Sequence, residues 1–192
     1  MTLPEKIETD RLVLRPFNLN DAPHIAVYAN NPNFSRFLPM VPQPYTQKDS
    51  DQFIARRILE DSKKSKTWAI TVRPADVPMG GFSLRFKNDE KSVAEMGWSI
   101  AEQHWGKGLT TEGVQAIIDA AFTHLPSMHK IRAGADLRNV GSWRVMEKVG
   151  MQREALFRQH QYIQDEWIDD VWYGILRSDW ETSKEEKGKD KG

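Results

Sequence analysis

A Gly-Lys-Gly turn within the stretch from Gln103 to Glu112 constrains the fold of this chain most strongly. The segment before it, Val93–Ile100, is rich in β-branched and aromatic residues, which is typical of a strand. The segment after it predicts a helix, because apolar side chains recur on one face: Val114, Ile117, Ile118, Ala121, Phe122 and Leu125. A glycine turn between a strand and a helix leaves backbone N–H groups unpaired at the positive end of the helix dipole. The sequence therefore predicts an anion site that suits phosphate.

The turn matches neither of the common nucleotide-binding motifs. A Walker loop requires Gly-Lys-Ser/Thr after a glycine and four further residues, and no such run occurs here. A dinucleotide fingerprint requires a third glycine three residues after the second, where this chain has Thr111. A strand-to-helix turn that uses glycine only for its geometry therefore remains an alternative to the anion site.

Composition excludes several classes of function. The 27 basic and 27 acidic residues balance, so no overall field attracts nucleic acid or an anionic membrane. The absence of cysteine excludes a disulfide framework, a thiol nucleophile and a cysteine zinc site, and we expect no metal. With no leader pattern and no apolar run of membrane-spanning length, we expect a soluble, cytoplasmic protein. Whether it is a monomer or a homodimer stays open.

The order of predicted elements describes one α/β sheet flanked by helices in a single domain, residues 1–180. Strands are predicted at 11–15, 68–72, 80–86, 93–100, 130–135, 151–157 and 166–176. Helices are predicted after Asn18, after Thr46, after the glycine turn and over 140–149. The proline-rich, apolar segment Phe34–Tyr45 either packs over the core or forms one wall of a cleft. Residues 181–192 are charged and have no apolar side chain, so we expect a disordered tail.

In this order and spacing, the motifs resemble those of GNAT-fold N-acetyltransferases, and most closely the Rim-type branch that contains the ribosomal-protein N-terminal acetyltransferases. The resemblance covers about residues 8–180. The motifs on which it rests are Thr9–Arg15, Ala94–Trp98, Trp105–Glu112, Asn139–Ser142 and Glu147–Met151. It implies a single GNAT-like domain with a central mixed, mostly antiparallel sheet, and an enzyme that transfers an acetyl group from acetyl-CoA, without a metal, to a primary amine.

The resemblance also implies a set of cofactor-binding residues. The pyrophosphate is expected on the N–H groups of residues 106–111, and the pantetheine arm along the backbone near Ser99. Asn139 is expected to bond the pantetheine amides, although it could instead be a turn or cap residue. The implied set is Ser99, Ile100, Ala101, Trp105, Gly106, Lys107, Gly108, Leu109, Thr110, Thr111, Asn139 and Ser142. Thr110 stands where the family commonly has Gly or Ala, which leaves the affinity for CoA open.

Two side chains are implied in catalysis. Glu95 resembles the general base, acting through water, and the alternative is a surface salt-bridge partner for a neighbouring lysine. Met146 stands where many family members have a proton-donating tyrosine, and the Rim-type branch instead uses the serine that is here Ser142. The alternative for Ser142 is helix capping. A backbone N–H near Ile100 is expected to polarise the acetyl carbonyl.

The chemistry favours a weakly basic acceptor amine. An α-amine has a pKa of about 7.7–8.0, whereas a lysine near 10.4 costs roughly 4 kcal/mol to deprotonate near pH 7.5. A peptide or protein N-terminus is therefore the expected acceptor. A small amine, such as a polyamine or an amine-bearing antibiotic, is an alternative, and so is a non-catalytic module that binds acyl-CoA as a sensor.

Overall fold

Eight strands form one sheet in the computed structural model, which describes residues 2–163 and 165–189. In chain order they are β1 (Ile7–Glu8), β2 (Leu12–Arg15), β3 (Ser65–Val72), β4 (Pro78–Phe86), β5 (Val93–Ile100), β6 (Lys130–Asp136), β7 (Gln152–Ile163) and β8 (Glu166–Leu176). They lie in the order β1-β2-β3-β4-β5-β6-β8-β7. Every neighbouring pair is antiparallel except β5 and β6, which are parallel. The expectation of a mixed, mostly antiparallel α/β sheet is confirmed.

Six α-helices flank the sheet in the described part of the chain. They are α1 (Ala22–Ala29), α2 (Pro32–Ser35), α3 (Gln47–Ile58), α4 (Leu109–His124), α5 (Val140–Lys148) and α6 (Arg177–Lys189). A capping box starts α3, because the Thr46 side chain accepts from the N–H of Asp49 while the Asp49 carboxylate accepts from the N–H of Thr46. No helix within the described ranges is both long and apolar enough to cross a membrane.

The two faces of the sheet carry two separate apolar clusters. On one face α4 packs through the predicted stripe, in which Val114, Ile117, Ile118, Ala121, Phe122 and Leu125 are all buried. On the other face a smaller cluster of Phe17, Ile25, Phe34, Tyr45 and Ile54 lies under α1, α2 and α3. Alternation along β3 and β4 divides the side chains between the two clusters, with Trp68 and Phe82 facing α4 and Ala69 facing α3.

The chain after residue 180 differs from the disorder that its composition predicts. Helix α6 continues to Lys189, and residues 190–192 lie outside the described part. Trp180 anchors this helix, since its ring lies 5.5 Å from that of Phe122 and its Nε1 donates to Asp119 at 2.6 Å. Lys184 pairs with the same carboxylate at 2.9 Å. One aromatic anchor and one shared acid thus hold a helix whose remaining residues are polar.

Candidate active site

The sheet opens where β5 and β6 separate. The two parallel strands pair only through Val93, Ala94 and Glu95 of β5, and β5 then continues five residues further without a partner on that side. Its backbone N–H and C=O groups up to Ile100 consequently face a gap in the sheet. Such an unpaired strand edge can bind a ligand that carries amide groups, as an added strand would.

The glycine turn lies beside this gap and leads into α4. Gly106 (φ +71°) and Gly108 (φ +74°) both adopt the left-handed conformation that glycine tolerates best. Gly108 is the N-cap of α4, and no side chain caps the helix there. The first amide to find a helical partner is that of Glu112, which donates to the carbonyl of Gly108 at 3.1 Å. The N–H groups just before it therefore point outward from a positive helix end, as the sequence predicts.

An ion pair from the start of the chain holds the turn in place. The Glu112 carboxylate accepts from Thr9 Oγ1 at 2.6 Å, from the backbone N–H of Arg11 at 3.1 Å and from Arg11 Nε at 2.6 Å. Arg11 Nη1 in turn donates to the carbonyl of Lys107 at 3.0 Å. Burial raises the pKa of Glu112, but the bonds from Thr9 and Arg11 outweigh it, so the pKa lies below its ordinary value. Thr9–Arg15 and Trp105–Glu112 are thus one structural unit.

A groove of about 490 Å³ runs from this turn to α5 and is called the basic groove here. Its charged lining residues are Arg36, Arg138, Arg144 and Lys148, and no described Asp or Glu lines it, although Arg138 is paired with Asp136 and Glu166 outside the groove. His104 also lines it, with a pKa lowered by burial and by the nearby charge of Lys107. A chain of zero net charge therefore concentrates positive charge beside an amide-lined turn, which is the arrangement that a diphosphate requires.

The basic groove contains most of the cofactor-binding residues expected from the sequence. Ten of them line it: Ser99, Ile100, Trp105, Gly106, Gly108, Leu109, Thr110, Thr111, Asn139 and Ser142. Two do not. Ala101 is buried and donates its N–H to the carbonyl of Met79 at 2.7 Å. Lys107 is exposed, and its carbonyl is the acceptor for Arg11.

The start of α5 brings Asn139 and Ser142 to the end of the groove. Asn139 is the N-cap, and its Oδ1 accepts from the N–H of Ser142 at 3.2 Å, so the alternative of a cap residue holds for Asn139. Ser142 is half-buried in the first turn of the helix and is not its cap. Met146, one turn further, is fully buried and packs in the cluster under α4. The position at which the family carries a tyrosine is thus a core position in this chain.

A second cavity, of about 400 Å³, meets the basic groove and is called the aromatic cavity here. The two share Phe34, Phe37, Leu38, Trp98, Ser99, Asn139 and Ser142. Phe34, Phe37 and Leu38 form the roof over both, so the proline-rich segment packs on the core and also forms a cleft wall. Glu102 anchors this roof by accepting from the side chains of Asn31 (2.5 Å) and Asn33 (2.8 Å) at the start of α2.

Glu95 lies outside both cavities. It sits on the same face of β5 as Gly97 and Ser99, and Gly97, two residues further along the strand, lines the aromatic cavity. Its carboxylate contacts Arg132 at 3.2 Å and both Arg85 and Lys87 at 3.6 Å. These contacts support the alternative of an ion-pair partner, and the role of general base stays a prediction.

Asp136, at the end of β6, is a cavity residue that sequence reasoning missed. Among the described residues it is the only carboxylate that lines the aromatic cavity, and its side chain is 8% exposed. Arg138 holds it through Nη2 at 2.6 Å and Nε at 3.0 Å. Burial raises the pKa of Asp136, but the hydrogen bonds and charge of Arg138 outweigh this and lower it. The Asp-Leu-Arg-Asn run at 136–139, directly before the Asn139 motif, is the signal that could have indicated it.

Comparison with known proteins indicates the same family as the sequence motifs. Residues 11–152 match the acetyltransferase (GNAT) domain. The chain is 28% identical over 174 residues to the uncharacterized N-acetyltransferase YnaD of Bacillus subtilis, covering 91% of this chain and 98% of that protein. It is 24% identical over 181 residues to the ribosomal protein uS5-alanine N-acetyltransferase of Escherichia coli, covering 91% and 92%.

Solved structures agree in fold. A GNAT-family acetyltransferase from Bacillus anthracis superposes with a TM-score of 0.81 at 25% identity, over 90% of this chain and 99% of that one. RimL, a ribosomal L7/L12 α-N-protein acetyltransferase solved with coenzyme A, superposes with a TM-score of 0.78 at 18% identity, over 90% and 98%.

The sheet opening, the amide turn and the family match over most of the chain define the class: this protein belongs to the GNAT acetyltransferase family. It is an acetyl-CoA-dependent N-acetyltransferase, and its relatives include ribosomal-protein N-acetyltransferases, as the resemblance to the Rim-type branch implies.

Proposed function

We propose that the protein acetylates the α-amine of a peptide or protein N-terminus, by direct attack of the neutral amine on the thioester of acetyl-CoA. The observation that carries the proposal is the junction of the two cavities at Ser99, Asn139 and Ser142. A donor bound in the basic groove and an acceptor bound in the aromatic cavity would meet there, in the gap between β5 and β6.

The donor is proposed to lie with its pyrophosphate on the N–H groups of residues 106–111 and its pantetheine along the unpaired edge of β5. The cationic lining of the groove supports this orientation, because CoA is a polyanion. Trp105 closes the adjacent turn, since its Nε1 donates to the carbonyl of Ile100 at 2.7 Å. The backbone N–H near Ile100 is proposed to stabilise the developing oxyanion.

The chemical step forms an N–C bond and breaks the C–S bond of the thioester. We assign Ser142 as the group that passes a proton to the leaving thiolate, because this residue lines both cavities at the junction. The ammonium proton of the intermediate passes to solvent and solvent returns a proton to Ser142 Oγ, so the products are the amide and the free thiol, with the serine regenerated. An α-amine fits this site, since it needs little help to lose a proton near neutral pH.

A thiol-release assay tests the proposal. Acetyl-CoA turnover is measured against peptides with a free α-amine, matched peptides with an acetylated N-terminus and one free lysine, and spermidine. The chain has no cysteine, so enzyme thiols add no background. We expect turnover on free α-amines, and turnover confined to lysine or spermidine would contradict the proposal.

A small amine is the second candidate acceptor, and the limited volume of the aromatic cavity favours it. A cavity of about 400 Å³ under the roof of α2 can receive one side group or one small molecule rather than an extended chain. Single amino-acid amides in the same assay distinguish the candidates. Turnover on peptides but not on amides would exclude the small-amine acceptor.

A further inference from the structure

We propose that the acceptor is a primary monoamine with a large apolar group, aromatic or branched, next to its amine, and that this group fills the aromatic cavity. The proposal rests on the proposed function and names the class of its acceptor. It applies equally to the first side chain of a peptide and to the body of a small molecule.

The walls of the cavity are aromatic and already packed in position. Phe17 and Phe53 meet edge to face with their ring centroids 5.3 Å apart, and Tyr28 and Phe34 meet in the same way at 5.1 Å. Each ring is fixed by its neighbour, so the cavity keeps its shape without a ligand. An apolar group that enters it exchanges water for a preformed apolar lining.

The floor of the cavity gives the direction and reach of the acceptor. It runs across three neighbouring strands through Gly97, Ser83 and Thr67, which pair directly with one another in the sheet. Two strand spacings correspond to roughly 10 Å. All three floor residues are small, so space remains above them. An amine at Ser142 would therefore carry its apolar group away from the donor, over β4 and toward β3.

The charges around the cavity exclude a polycation. Among the described lining residues Asp136 is the only acidic one, and Arg138 already neutralises its charge. Burial raises the pKa of both Tyr28 and Tyr45, so their phenols stay neutral. The cation Arg57 lines the far end and pairs with Glu60 at 2.9 Å. A spermidine or an aminoglycoside would lose the hydration of several ammonium groups here without gaining carboxylate partners.

The test compares acceptors that differ only in the group next to the amine. Glycinamide, serinamide, leucinamide and phenylalaninamide, with spermidine as the polycation, are assayed at a pH above the α-amine pKa of about 8, where each amide is mainly neutral. We expect kcat/KM for the leucine and phenylalanine amides to exceed that for glycinamide by about 10- to 100-fold, the factor that burial of one apolar side chain supplies.

A variant that fills the cavity tests the location of the group. Ser83→Leu places a branched side chain on the floor, outside the basic groove, and the phenylalanine-to-glycine ratio is expected to fall to about 3 or below. Thr182→Leu, on the exposed face of α6, is the matched control and should keep the wild-type ratio. If Ser83→Leu fails to fold, Gly97→Ala replaces it, because its new methyl meets only Ser83 Oγ, at 3.2 Å.

Each outcome separates this inference from the proposed function. Equal kcat/KM values on glycinamide and phenylalaninamide, a preference for spermidine, or an unchanged ratio in a folded Ser83→Leu overturn the inference and leave α-amine acetylation standing. Failure to acetylate any amide or any free α-amine peptide overturns the proposed function itself, and the inference with it.

Discussion

The basic groove and the aromatic cavity meet at one point, yet they are built in opposite ways. The groove takes most of its lining from two stretches, 98–111 and 138–148, and it presents backbone amides and cations. The cavity combines isolated residues of α1, α2 and α3 with short runs of β4, β5 and β6, and its walls are mostly apolar. A backbone site requires glycine at fixed positions and so leaves a motif, whereas a cavity can be assembled from scattered apolar residues. The binding site of the donor can therefore be predicted from the sequence, whereas that of the acceptor cannot.

The largest expected effect lies where the two regions meet. Ser142→Ala should lower kcat by about 100-fold, because it removes the proposed proton donor. The Kd for acetyl-CoA should change by no more than about 3-fold, as measured by calorimetry. Ser178→Ala, an exposed serine at the start of α6, is the control. A wild-type kcat in Ser142→Ala would contradict the role of Ser142 as the proton donor.

A second variant tests how the groove is held together. Arg11→Ala removes the bond to the Lys107 carbonyl and the partner of Glu112, so the glycine turn should lose its fixed geometry. We expect the Kd for acetyl-CoA to rise by about 10-fold, with little change in the preference among acceptors. Arg73→Ala, which breaks a surface ion pair with Glu8, is the matched control. A shift in acceptor preference would contradict this, because it would mean that the groove and the cavity do not bind donor and acceptor independently.

The charge of Glu112 should make stability depend on pH. Its pKa is lowered in the folded protein, so its stabilisation is present above the unfolded pKa of about 4.3 and is lost as the pH falls through the lower folded value. Glu112→Gln should lose about 1–3 kcal/mol in the free energy of unfolding at pH 7. Denaturant unfolding of both proteins from pH 7 downward measures this, and a difference that persists unchanged at pH 2 would contradict it.

The smallest expected effect concerns Glu95. Its three cationic contacts lie outside both cavities, so Glu95→Gln should change kcat/KM by no more than about 3-fold and lower the melting temperature slightly. The pH profile of kcat/KM provides the decisive comparison. A loss of 100-fold or more together with a shifted acidic limb would instead support Glu95 as the general base.

Much of the fold could be predicted, because its elements follow local rules. The stripe on α4, the capping box of α3 and the strand pattern of β5 each depend on neighbours in sequence. The separation of β5 from β6 could not be predicted, since it depends on how far two distant strands stay paired. Asp136 was missed for the same reason, because its place at the cavity follows from that separation. The helix after Trp180 was missed because its stability comes from a tertiary contact with Phe122.

The most direct test of the central claim is a crystal structure with a non-hydrolysable acetyl-CoA analogue. We expect the pyrophosphate on the N–H groups of residues 106–111, the pantetheine along the free edge of β5, and the acyl group beside Ser142 at the mouth of the aromatic cavity. An acyl group that points away from this junction, or a pyrophosphate bound elsewhere, would contradict it.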